Sequence, residues 1–442
     1  MSAVLPRAFS RASLKTFRQS EDGAGTTYSL FTLAVMALLG GYAIDVSNVM
    51  TDRTNMQTAV DAVAHAALLT REMKSSDEAR SKALALAAKN LPPLDWGTAI
   101  KAEDVVFGTW DETHHKFTPN PNSRSAVRVT AHQTEVTGNP VPVFLLQFAG
   151  LDNWNVVTDA TYVTYHPTCL KEGFVAEDVV DIQSNNSFSN GFCIHSNTYV
   201  SLNSNNYFEP GTVVSMPDLD DLELPNSGYK TNTGLREALR EGSWNIRIVE
   251  RIGAIIEGLR TYDARYLPSY ITTTVPGNLS STTLTSAMMA PGKVYFYCCT
   301  GNKSLTVDKN VALKKLVLVT NCAIKFSQGV SLEDAIIATT NTGSKSINAP
   351  SGLRLGKNDG CAAGGGAQVL TMGSVSVASG LEMYGSQILA KDDIEFAANA
   401  NGIQGAAMVA GGVISGTSNM SMGYCGTGME GNFHAEYFKL VN

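Results

Sequence analysis

Residues 23–44 read GAGTTYSLFTLAVMALLGGYAI, an uncharged run of 22 residues closed by the carboxylate of Asp45. As a helix, this run is long enough to cross a hydrocarbon core about 30 Å thick. Arg7, Arg11, Lys15 and Arg18 precede it, and Arg53 is the only basic residue between its end and residue 60. Basic residues stay on the cytoplasmic side, so the N-terminus is expected to face inward and the rest of the chain to be exported. The competing reading is a cleaved signal peptide, since Gly41 and Ala43 loosely satisfy a small-x-small cleavage site. The apolar core is longer than the usual 7–15 or so residues of such a peptide, so a retained anchor is expected, with Asp45 at the outer membrane boundary.

Beyond Asp45 the pattern stays helical. Val46, Val49, Met50, Arg53, Met56, Val60, Val63, Ala64 and Ala67 recur at steps of three and four, and no Gly or Pro occurs from Tyr42 to Asn90. The membrane helix is expected to run on as an amphipathic stem ending near Thr70, followed by a second helix over Asp77 to Asn90. The stripe is built largely from small and medium residues, which lets another helix approach closely. Two uses of it stay open, a helix lying on its own domain and a stem that packs against membrane partners. A small α+β segment follows, with strands at Asp104 to Trp110, Ala126 to Val136 and Asn155 to Tyr165, and a short apolar helix from Asn139-Pro140 through Phe148. His114 and His115 invite a metal reading, but adjacent side chains point apart and no Cys or acidic residue stands at ligand spacing.

From about Cys169 the pattern changes to β-runs of three to six residues separated by Asn, Ser and Gly. Val179 to Ile182, Phe192 to Ser196, Thr198 to Leu202, Leu316 to Thr320, Ala323 to Phe326, Ala335 to Thr339, Gln387 to Ala390 and Ala406 to Ala410 are examples. Short strands without helices between them read as a parallel β-helix, expected to be right-handed, in which each coil stacks on the next. A β-sandwich competes, but with longer strands and turns about 8–12 residues apart. Leu235 to Leu259 has helical spacing weakened by Gly242, Gly253 and Gly258. It is expected as an insertion over residues 233–266, in one helix or two, that caps or flanks the β-helix. All seven cysteines lie at or after residue 169 and match no zinc spacing. Export favours disulfides with one thiol left over, and Cys169–Cys193 and Cys361–Cys425 are the candidate pairs.

A formal net charge of −7 excludes a nucleic-acid partner, which needs a concentrated basic surface. The acidic string Asp218, Asp220, Asp221 and Glu223 could hold calcium through hard oxygens, yet lacks the EF-hand pattern and reads better as a solvated loop. Asp393 and Glu395, beside Asp392, would share one face of a strand, as paired carboxylates do in carbohydrate-active β-helices. One such pair is expected by chance among 40 acidic residues. The chain has no Gly-x-Ser-x-Gly elbow, no HExxH and no phosphate loop, so no cofactor and no catalysis are expected.

The apolar segment closed by Asp45, then Arg53, Met56-Gln57, Asp61-Ala62, Ala64 to Ala67, FGTWD at 107–111, Phe117, AVRV at 126–129 and Asn139-Pro140-Val141 form a series. It resembles the Flp/Tad pilus-assembly proteins of the TadE/TadG-like group, over about residues 18 to 170, and the long exported part points to the TadG-like branch. The resemblance implies a bitopic inner-membrane component of a tight-adherence pilus system, supporting pilus assembly, surface attachment and biofilm formation. Pilins of such systems are cut after a Gly followed by Glu at the fifth mature position. Here Tyr28 follows Gly23 and Leu30 follows Gly25, so the chain is expected to stay uncleaved. Residues 1–22 would be cytoplasmic, 23–45 transmembrane, 46–168 the stem and α+β domain, and 169–442 the β-rich distal domain in the periplasm or displayed on the pilus. Helical spacing and the resemblance together make Met56, Gln57, Val60, Asp61 and Ala64 the candidates for packing against other pilus-assembly proteins or minor pilins. A pilus-tip adhesin binding a surface or glycan ligand is the alternative, and a tethered polysaccharide-active enzyme a third reading.

Overall fold

The computed structural model describes residues 24–301 and 303–441; the basic segment with Arg7, Arg11, Lys15, Arg18 and Gly23 lies outside the described residues. The chain forms two compact units, one running to Tyr165 and resuming at Phe438, the other His166–Tyr437. The second unit is therefore inserted into the first as the chain runs.

The first unit begins with α1, Ala24–Met73, a single helix about 75 Å long at 1.5 Å per residue. It stops where a capping box starts the next helix. Ser75 Oγ accepts the Glu78 N–H at 3.2 Å while the Ser75 N–H donates to Glu78 Oε2 at 3.2 Å, and α2 runs Ser76–Asn90. Beyond it stand β1 (Val105–Asp111), β2 (Lys116–Pro119) and β3 (Ala126–Gln133). Then come β4 (Val141–Pro142), β5 (Asn153–Trp154) and β6 (Val156–Tyr165). The main sheet has the order β2-β1-β3-β6, completed by the final strand Tyr437–Leu440, while β4 and β5 form a separate pair. The short helix expected from Asn139 is absent. In its place β4 leads to one turn of 3-10 helix at Leu146–Ala149, because Pro142 lacks an N–H and Gly150, at φ 86°, turns the chain left-handed.

β3 alternates as a half-buried strand should, with Val127, Val129 and Ala131 inward. These meet Met56, Val60, Val63, Ala64, Ala67 and Leu68 of α1 and the alanines Ala79, Ala83 and Ala87 of α2 in one core. Ala64 is completely buried there. Ala64→Leu is expected to overpack this core and cost about 1–3 kcal/mol, read as a lower thermal midpoint in detergent micelles.

The second unit is one 22-stranded sheet whose inter-strand pairs are parallel. Its register repeats near twenty residues: Phe174 pairs with Ile194, Ile194 with Val214, Val180 with Val200 and Phe188 with Phe208. Three buried columns result. The first runs Tyr295, Leu318, Ile337, Val369, Ile388, Met408, Phe174, Ile194, Val214. The second runs Leu305, Ile324, Ile347, Val375, Ile394, Ile414, Val180, Val200. The third runs Leu313, Leu332, Leu355, Met383, Ile403, Met422, Phe188, Phe208. These side chains lie in one buried core.

The columns do not follow chain order. The strand at 407–410 stacks on the strand at 173–176, so the chain enters its own stack in the middle. It builds toward one end as far as Leu239–Glu241, then resumes at Gly277–Asn278 at the other end and winds back. A helix, α3, Arg247–Arg260, belongs to the segment between those two ends. Its Ile248, Val249, Ile252, Ile255, Ile256 and Leu259 pack on the outward residues Val175, Val294, Val317, Ile336, Leu370, Leu389 and Val409. At about 1.5 Å per residue α3 covers roughly 21 Å, matching four or so strand spacings of about 4.8 Å. Strands beneath it are buried on both sides, which is why LVLVT at 316–320 and AIIAT at 335–339 are almost continuously apolar. The helical run expected over Leu235 to Leu259 is divided: Leu235–Ala238 is a single turn, and Leu239–Glu241 joins the sheet before α3 begins.

Asparagines hold the corners across the point where chain order breaks. Asn185, Asn205 and Asn419 all have left-handed φ near 62–65°. The buried Asn186 accepts the Met420 N–H at 2.8 Å, and Asn206 accepts the Asn186 N–H at 2.9 Å. Asn tolerates this conformation and hydrogen-bonds locally.

Candidate functional site

Asp45 sits at the end of the apolar run, where a bare carboxylate would be costly beside hydrocarbon. The structure buries it, 1 % exposed, under the loop that follows β4. Oδ1 accepts the Phe144 N–H at 2.9 Å, and Oδ2 accepts Leu145 N–H at 3.0 Å and Leu146 N–H at 2.7 Å. Gly41, one helical turn earlier, lets the loop close: a Cβ there would lie 3.2 Å from Leu145 Cβ. The apolar run and its closing acid mark the position of Asp45, but no local signal points to partners about a hundred residues away.

Met56, Val60 and Ala64, candidates for packing against a partner, are fully buried in the core of the first unit. Gln57 and Asp61 are half-buried: Gln57 Nε2 donates to Asp61 Oδ1 at 2.9 Å and to the Asp159 carbonyl at 3.1 Å. This stripe holds the stem to its own sheet. The exposed apolar surface of α1 lies earlier, at Tyr28, Leu30, Phe31, Leu33, Met36 and Leu39 among others.

Disulfides join Cys169 to Cys193, Cys361 to Cys425, and Cys299 to Cys322, leaving Cys298 exposed and free. The third pair was not legible, because Cys298 and Cys299 are adjacent and spacing cannot choose between them. Near the second bridge the buried carboxylate of Glu172 accepts the N–H groups of Cys425 and Gly426.

His114 Nδ1 meets Asp111 Oδ2 at 2.7 Å in an exposed turn, and no group of three ligating side chains that could hold a metal occurs among the described residues. Asp218 Oδ1 accepts the Asp220 N–H within its own short turn. Asp393 Oδ1 accepts the Val413 N–H at 2.9 Å to hold a corner, while Glu395 stands exposed between Ser376 and Ser415. A serine–histidine pair is present: His195 Nδ1 lies 2.8 Å from Ser215 Oγ, and Nε2 lies 3.0 Å from Asn197 Oδ1. Trp244 stacks on the imidazole with ring centroids 4.1 Å apart. Both His195 and Ser215 are buried, so this network braces strands and offers no face to a substrate.

Burial pushes the His195 imidazole below its ordinary range, against smaller opposing effects of Asn197 and Glu177. The neutral ring is therefore favoured in the folded chain. As pH falls through about 6.5 the unfolded chain takes up the proton first, so stability is lost below that pH and is independent of this group above it. His195→Gln is expected to flatten the wild-type decline in denaturation midpoint between about pH 6.5 and 5. An unchanged pH profile would contradict this assignment.

A polar groove of about 560 Å³ is lined by Asp181, Gln183, Ser201, Asn203 and Glu223 among others. Burial raises the Asp181 carboxyl, with Ser201 and Gln183 opposing and Glu223 adding to the rise. No aromatic side chain lines the groove, so it lacks a flat surface for stacking a sugar ring.

Family models match three segments. One described as Flp pilus-assembly TadE/G-like matches residues 23–81, and one described as Tad-like Flp pilus-assembly matches residues 55–161. A third, described as a domain of unknown function, DUF7867, matches residues 173–426, more than half of the chain. No curated protein and no solved structure matches.

Proposed function

The chain belongs to the Tad-like Flp pilus-assembly proteins, its larger part to the DUF7867 family, and from that premise we propose a non-enzymatic, membrane-anchored component of a Tad-type pilus system. The observation that carries this reading is α1. Its first half exposes large apolar side chains over a length able to cross a bilayer, and its second half is the core helix of the domain the pilus-assembly models match. In this reading the N-terminus is cytoplasmic, the span is retained in the bacterial inner membrane, and the rest of the first unit and the second unit lie on the exported side. The cysteine pairs fit an oxidising compartment.

We read the three-column stack of the second unit as a right-handed parallel β-helix flanked by α3. Because Met56, Val60 and Ala64 are occupied by the chain's own sheet, contact with other pilus-assembly proteins or minor pilins is assigned to the apolar face of α1 between Tyr28 and Ile44. The second unit supports surface attachment and biofilm formation. A surface or glycan ligand, if one is bound, would meet the groove of Asp181, Ser201 and Glu223. A tethered polysaccharide-active enzyme is the weaker reading, since Asp393 is engaged in holding a corner.

Surface pili counted by negative-stain electron microscopy, in a strain lacking the gene and in its parent, test the proposal. Bald cells rescued by the intact gene are expected. Normal pilus numbers would overturn a role in assembly and leave attachment by the second unit as the function.

A further inference from the structure

We propose that the loop from Val143 to Leu151 is a second membrane contact, a short apolar segment lying in the interface of the bilayer that α1 crosses. The loop is two-sided. Val143 and Leu146 are buried, while Phe144, Leu145, Phe148 and Leu151 are 59, 42, 66 and 44 % exposed. Four large apolar side chains on one short loop need a cover, and single exposed apolar residues elsewhere do not.

The position of the loop names the cover. Asp45 holds the loop through three backbone N–H groups, and Leu145 lies against Gly41 of α1. The exposed loop side chains therefore continue the apolar surface of Leu38, Leu39, Tyr42 and Ile44 at the end of the span. A surface continuous with a hydrocarbon-spanning helix meets the same solvent, lipid. The polar groups agree with this. Unpaired N–H groups are not tolerated beside acyl chains, nor is a bare carboxylate. Here each satisfies the other, and Gln147 Nε2 donates to the Val143 carbonyl at 2.6 Å. Apolar aromatic and aliphatic side chains on one side of a short, internally satisfied segment suit the headgroup and acyl boundary.

The inference rests on α1 crossing a membrane, so the test reads both. Full-length protein carrying Cys298→Ser receives one new cysteine, at Leu33, Phe148 or Lys116, is labelled with an environment-sensitive nitrobenzoxadiazole dye and is reconstituted in phosphatidylcholine–phosphatidylglycerol vesicles. Labels at Leu33 and Phe148 are expected to emit at shorter wavelength than the label at exposed Lys116 and to resist aqueous iodide. Nitroxide lipids should quench Leu33 from the acyl chain and Phe148 from near the headgroup. A lipid-protected Leu33 with a water-like, iodide-quenched Phe148 would overturn the loop contact and assign the patch to a protein partner, leaving the anchor intact. A water-like Leu33 would instead overturn the anchor and the loop contact with it.

Discussion

Phe174→Ala is expected to lower the stability of the second unit by about 3–5 kcal/mol, the usual cost of emptying a fully buried aromatic site. Phe174 is completely buried and stands in the first column between Met408 and Ile194. Its ring packs edge-on to Phe192 and Phe396 at centroid distances of 5.0 and 5.3 Å. Phe192 follows it closely in the chain, whereas Met408 and Phe396 arrive from the far end of the unit. The strand at 173–176 is thus where two separately wound segments meet without a covalent link. Loss of the ring removes apolar contact on both sides of that seam. Denaturant titration should show the lower midpoint, and hydrogen exchange should quicken first at Val175, Ala176, Val409 and Ala410. A loss below about 1 kcal/mol would mean the seam closes around the gap as an ordinary surface would.

Asp45→Ala is expected to free the loop after β4 at a cost on the order of 3 kcal/mol. Three bonds to one carboxylate contribute roughly 1.5–3 kcal/mol each while buried, and relaxation of the loop into solvent recovers part of that. At about 1.4 kcal/mol per factor of ten, hydrogen exchange at Phe144, Leu145 and Leu146 should rise by roughly two decades. Asp45→Asn, with one carbonyl oxygen in place of two carboxylate oxygens, should fall between. Unchanged protection in Asp45→Ala would show that Val143 and Leu146 alone seat the loop.

What the sequence discloses differs from element to element. The apolar run to Ile44 is legible by length alone, since nothing in a soluble fold requires 22 uncharged residues in succession. The stem stripe is legible as a helix face but not as to what covers it. A stripe of Met56, Val60 and Ala64 suits a sheet as well as a helix, and the covering strands β3 and β6 lie far along the chain. Short strands of the second unit are legible because Asn and Gly punctuate them; Ala323–Phe326 has the bounds its sequence suggests. The order in which they stack is not legible, because Phe174 and Val175 would serve equally against any neighbouring strand. Asp45 carries the same lesson at a single site. Its place at the end of the apolar run follows from local sequence, and its three hydrogen bonds follow only from the fold.

In the proposed function the chain acts from the membrane, held by α1. In the strain lacking the gene, a version with residues 24–44 replaced by a cleavable signal peptide should be exported and form its three disulfides. Surface pili are then counted beside those of cells given the intact chain. Pili with the intact chain and bald cells with the released one are expected; full piliation by the released, folded chain would overturn action from the membrane.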